Sequence, residues 1–175
     1  MSKTDEDPPV IRITRREFVK IGGATVSGSL ASGLLPVVAA TPAQPKGDAY
    51  PTRVVARISA MKVNEPVQFA YPDETSPAIA VRLPDPAPGG VGPGNSIVAY
   101  SILCTHKGCP VSYRPDRKLL ICPCHWSSFD PAKEGEMVIG QGSQALPRIV
   151  LRVDGDSVQA IGVEGLIYGR QVNIL

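Results

Sequence analysis

All four cysteines and both histidines of this 175-residue chain fall between positions 104 and 125. Structural cysteine and histidine are dispersed among core positions, so six such residues in one short window read as a metal or redox site. They form two boxes, Cys104-Thr105-His106-Lys107-Gly108-Cys109 and Cys122-Pro123-Cys124-His125-Trp126-Ser127, with fifteen residues between His106 and Cys122. Each box mixes thiolate with imidazole donors. A zinc finger would instead place a Cys-x2-4-Cys pair ahead of a separate His-x3-5-His pair. A thiol oxidoreductase requires Cys-x-x-Cys at the start of a helix; Cys122-Pro123-Cys124 is one residue short, and no helix signal follows it.

The two boxes resemble the loops of the Rieske family, whose pattern is Cys-x-His-x-Gly-Cys followed by Cys-x-x-His with an extra cysteine inside the second box. The likeness is specific over residues 97–130 and extends over 50–165. It implies one [2Fe-2S] cluster per chain, with Cys104 and Cys122 binding one iron through thiolates and His106 and His125 binding the other through imidazole nitrogens. It also implies a disulfide between the remaining pair, Cys109 and Cys124. Two neutral imidazoles leave the oxidised core uncharged where a four-cysteine cluster is dianionic, so an electron is added more easily. Rieske centres accordingly span roughly −150 to +300 mV, against about −400 mV for plant-type ferredoxins.

Neighbouring residues refine that expectation. Ser127 matches the position whose hydroxyl donates to a bridging sulfide in high-potential members, whereas Phe129 stands where those members carry a tyrosine bonded to a ligand sulfur. With one donor kept and one missing, the expected potential lies below that of the highest quinol-oxidising centres. Lys107 replaces the usual apolar tip residue, and Trp126 replaces the usual glycine after the ligand histidine. Both are expected on a docking surface, with the indole packing over the cluster and covering the loops with a large apolar body.

The chain has neither the length nor the spare histidines for the second, catalytic domain of an oxygenase, so it relays electrons and is not catalytic alone. The combination of features resembles the small Rieske subunit of bacterial arsenite oxidase. That likeness implies a large molybdopterin iron-sulfur subunit as partner, with electrons from arsenite passing to a cytochrome c or cupredoxin. The alternative is the Rieske subunit of a quinol-oxidising cytochrome bc-type complex.

The N-terminus reads as an address. Arg15-Arg16 precedes an apolar stretch, Ile21 to Ala40, rich in Gly, Ser and Ala, as in a twin-arginine export signal. Residues 1–40 are therefore read as a signal segment cut near Val38-Ala39-Ala40, and 41–52 as a linker. The expected location is the periplasm, where disulfides persist; retention of the segment as an anchor would give membrane association. The net charge of +2 offers no nucleic-acid footprint.

Residues 53–175 must supply the frame that positions the boxes. Short β-branched or alternating segments at 53–58, 67–71, 78–83, 97–103, 148–153 and 157–161 predict strands. Asp154-Gly155-Asp156 predicts a tight hairpin, and the Pro- and Gly-rich stretch 84–94 predicts a surface loop. With 18 Pro and 17 Gly, long helices are excluded. The expected fold is mainly β, an antiparallel sandwich or barrel with a cluster-binding subdomain over about 100–146.

Overall fold

The computed structural model describes residues 50–174. The expected signal segment, 1–40, and residues 41–49 of the expected linker lie outside the described residues. Among the described residues, no helix is long and apolar enough to cross a membrane.

Among the described residues, ten strands form two antiparallel sheets. The larger has the order β1 (Arg53–Arg57), β10 (Ser157–Glu164), β9 (Arg148–Asp154), β4 (Ile97–Ser101), β3 (Pro77–Arg82) and β2 (Pro66–Ala70). It curls into a nearly closed barrel, and the Arg53 guanidinium on β1 donates to the Ala70 carbonyl on β2 at 2.9 Å across the remaining seam. The smaller sheet runs β5 (Ser112–Arg114), β6 (Leu119–Ile121), β7 (Ser128–Asp130) and β8 (Glu136–Ile139).

The central strands β3 and β4 are buried on both faces and form the wall between two cores. Side chains alternate along a strand, so Ala78, Ala80, Ile97 and Ala99 face the barrel interior with Met61, Tyr71, Ile149, Leu151 and Val158. The larger Ile79, Val81, Val98 and Tyr100 face the opposite way. There they pack with Leu120, Phe129, Leu146, Cys104 and Cys122 in the second core. The base of the two-box region is thus part of a hydrophobic core, and β4 leads into the first box. Two tyrosine hydroxyls fasten the small sheet to the barrel: Tyr100 donates to the Pro131 carbonyl at 2.9 Å, and Tyr113 to Asn64 Oδ1 at 2.9 Å.

The six predicted strands are present with ends shifted by up to three residues. The four strands of the small sheet escaped prediction because each has only three or four residues, too few to establish a period. The hairpin forms, but its two turn residues are Gly155 and Asp156, since Asp154 pairs with Ser157. Gly155 has φ +58°, so glycine serves at the first turn position. The stretch 84–94 is a surface loop as expected, mostly exposed, but it is pinned to the barrel. Ala87 is buried in the second core, Val91 and Ile97 exchange backbone hydrogen bonds, and a Cβ at Gly90 would stand 2.1 Å from the Asn95 carbonyl oxygen.

Candidate metal centre

The two boxes fold into loops with the same backbone hydrogen bonds. In the first, Cys104 N–H donates to the Cys109 carbonyl at 2.9 Å and Gly108 N–H donates to the Cys104 carbonyl at 2.8 Å. In the second, Cys122 N–H donates to Ser127 at 2.8 Å and Trp126 N–H donates to Cys122 at 3.0 Å. Gly108 and Trp126 therefore hold equivalent positions, and both are left-handed, with φ +73° and +61°. Glycine adopts this conformation without steric cost; tryptophan does not.

These loops bring the donors together in two pairs. Cys104 and Cys122 are buried, free of any disulfide and part of the same hydrophobic core. Burial pushes the Cys104 thiol up; the N–H of His106 pulls against that shift, and the Cys122 side chain adds to it. His106 and His125 meet edge to face, with ring centroids 4.8 Å apart. His106 is half-buried and His125 exposed.

Cys109 and Cys124 form a disulfide that joins the loops. The sulfurs of Cys109, Cys122 and Cys124 lie within 4.8 Å of one another, yet two of the three are bonded to each other and cannot serve as thiolates. That trio records how close the disulfide lies to Cys122. The donors left free are two buried thiols and two imidazoles, a set that fits an iron-sulfur centre with mixed ligation.

A third loop, 140–147, completes the setting and was not foreseen. Thr105 Oγ1 donates to the Gln144 carbonyl at 2.7 Å, and Ser143 Oγ donates to the Thr105 carbonyl at 2.9 Å. Gln141 N–H donates to Ser127 Oγ at 3.0 Å, which leaves the Ser127 proton for another acceptor. Gly140 is required here, because a Cβ would stand 2.4 Å from Ser127 Cα. The turn formers Gly140, Gly142 and Ser143 were a visible signal, but nothing in their spacing pointed back to Thr105 and Ser127. Phe129 is fully buried, with its para carbon beside Gly142. Lys107 is exposed at the first tip. Trp126, expected on a docking surface, is 68% exposed at a position of left-handed backbone, φ +61°.

Residues 52–149 match the family model described as the Rieske [2Fe-2S] domain. The chain belongs to the Rieske family. Its domain is one that carries a [2Fe-2S] cluster, and the mixed donor set suits that group. Among relatives, this Rieske protein is 42% identical to the iodate reductase subunit IdrB of Denitromonas iodatirespirans over 164 residues, covering 92% of this chain and 86% of the relative. It is 39% identical to the subunit of the same name from Pseudomonas sp. strain SCT, covering 90% and 82%. The soluble domain of Rieske protein II from Sulfolobus acidocaldarius superposes with a TM-score of 0.61 at 24% identity, over 71% of this chain and 85% of that one. That superposition identifies the same mainly β fold.

Proposed function

We propose that this Rieske protein is the electron-transfer subunit of a periplasmic oxyanion oxidoreductase. In this reading Cys104 and Cys122 hold one iron, and His106 and His125 hold the other. The pairing of two buried thiols with two imidazoles that reach the surface supports it best. When bound, the cluster supplies a one-electron carrier. The protein contributes the rest. The disulfide and the third loop fix the two boxes, Ser127 offers a hydroxyl to sulfur, and the histidine edges provide the shortest exit to a docked partner.

The catalytic chemistry belongs to another subunit, for which a large molybdopterin iron-sulfur protein is the proposed partner. The near full-length similarity to two iodate reductase subunits favours iodate reduction, with electrons entering from a cytochrome c or cupredoxin and leaving toward the catalytic subunit. Arsenite oxidation, with the reverse flow, is the second reading and rests on the resemblance of the two boxes and their neighbours. The exposed Lys107 disfavours a quinol-oxidising role, since a charged tip enters an apolar quinol pocket at a desolvation cost. Twin-arginine export is the proposed route.

Two measurements test these statements. Reduced full-length protein should contain two irons per chain and give the electron paramagnetic resonance signal of a mixed Cys/His cluster, lost on His125→Ala; a four-thiolate signal would overturn the ligand assignment. The complex purified through a tagged copy of this chain should oxidise a reduced carrier with iodate. Arsenite-dependent carrier reduction in place of that activity would reverse the assigned direction, and co-purification of a cytochrome b without a molybdenum protein would overturn the whole proposal.

A further inference from the structure

The segment 165–174 lies beyond the region matched by the Rieske family model, yet it reaches the first ligand loop. A Cβ at Gly108 would stand 2.6 Å from Tyr168 Cδ1 and 2.7 Å from Cε1, so the edge of the Tyr168 ring is pressed against the Gly108 backbone. Gly108 is the residue whose N–H closes the loop onto the Cys104 carbonyl, with His106 held inside that turn.

The segment has anchors of its own. Ile167 is fully buried, and its N–H donates to Asn173 Oδ1 at 3.0 Å while Asn173 Nδ2 donates to the Gly165 carbonyl at 2.7 Å. Arg170, with a side chain only 11% exposed, makes a two-pronged contact with Asp73 at 2.7 and 2.8 Å. Planar, bidentate pairing of this kind fixes orientation as well as proximity. Tyr168 therefore sits between a rigid anchor on the barrel and the tip of a ligand loop. Among the described residues its hydroxyl makes no hydrogen bond, and the ring alone carries the contact.

We propose that Tyr168 is a positioning residue for the bis-histidine side of the centre, with segment 165–174 acting as a strap that keeps the first loop closed around His106. This rests on the assignment of His106 as an iron ligand. Displacing the ring frees Gly108, loosens the turn that holds His106 and alters the ligand field of that iron. The requirement for glycine at 108 then has two sources, its positive φ and the ring edge, and only the second depends on Tyr168.

Full-length wild type is compared with Tyr168→Phe, Tyr168→Ala, Gly108→Ala and the double variant Gly108→Ala/Tyr168→Ala. The readouts are g-values of the reduced protein and the rate of visible bleaching on warming. Tyr168→Phe should match wild type. Tyr168→Ala should shift the g-values and bleach at least about threefold faster, the scale of coupling between residues in contact. Gly108→Ala should cost less in the Tyr168→Ala background than in wild type. If Tyr168→Ala fails to accumulate, Tyr168→Leu is read against Tyr168→Phe in the same way. Wild-type g-values and bleaching in Tyr168→Ala, or an equal cost of Gly108→Ala in both backgrounds, would overturn the strap. A wild-type signal lacking histidine ligation would instead overturn the ligand assignment on which the strap depends.

Discussion

Trp126 shows how a single residue can be out of keeping with its backbone. It occupies the left-handed position that Gly108 holds in the other loop, and its indole gains little burial in return, being 68% exposed. A non-glycine residue in that region costs about 1–2 kcal/mol, partly offset by the extra backbone freedom glycine has when unfolded. Trp126→Gly should therefore stabilise the fold by about 0.5–1 kcal/mol, read as a raised thermal midpoint; a lowered midpoint would show that the indole makes contacts worth more than the strain. The second residue-scale prediction concerns tuning. Phe129 is fully buried in the core that holds Cys104 and Cys122, with its para carbon near Gly142, and Phe129→Tyr adds the hydroxyl that high-potential members of the family carry at this position, where a donor to sulfur stabilises the added electron. Redox titration should give a higher midpoint than wild type, and an unchanged or lower one would defeat the argument.

The donor residues were legible because their chemistry is carried by residue type, and the box pattern orders them in the chain. The elements that hold them were legible only in part. A strand of five or more residues shows its period, as β2 does with Val67 and Phe69, whereas β5 to β8 are short enough that the small sheet emerges only from pairing. The third loop was invisible for a different reason: the bond from Thr105 to Gln144 joins residues 39 apart, and no local rule links them. The disulfide is the strongest tie at this scale. It closes a loop of 15 residues, for which the chain-entropy model gives about 3 kcal/mol. Cys109→Ser should lower stability by about that amount in chemical denaturation and hasten cluster loss. Full retention of both would mean that the third loop alone holds the boxes.

Across the whole molecule, the Arg170 guanidinium on Asp73 links the end of the chain to the turn before β3 and holds the Asp73 carboxyl well below the usual carboxylate range. A carboxyl depressed in the folded state contributes stability above its unfolded value, near pH 4, and loses it as the pH falls through the folded value. Wild type should thus be more stable than Asp73→Asn at neutral pH, with the difference narrowing as the pH is lowered below about 4. Denaturation of both proteins at pH 7 and pH 3 measures this, and a gap of constant size would refute it. Solvent screening keeps the effect modest, because the Asp73 side chain is 37% exposed.

From the amino-acid order alone come the clustering of the candidate donors and the mainly β class, written in residue type and local period, while the ligand assignment and the two loops come from the resemblance of the two boxes to the Rieske pattern. Tertiary structure decided which side chains share a core, that β3 and β4 separate two of them, that the indole of Trp126 faces outward, and that residues 140–147 and 165–174 close on the site. Each depends on contacts between residues far apart in the chain, whose energy exists only once the barrel has curled and both sheets have packed. For that reason the candidate donors of this Rieske protein could be read locally, while the support that holds them in place could not.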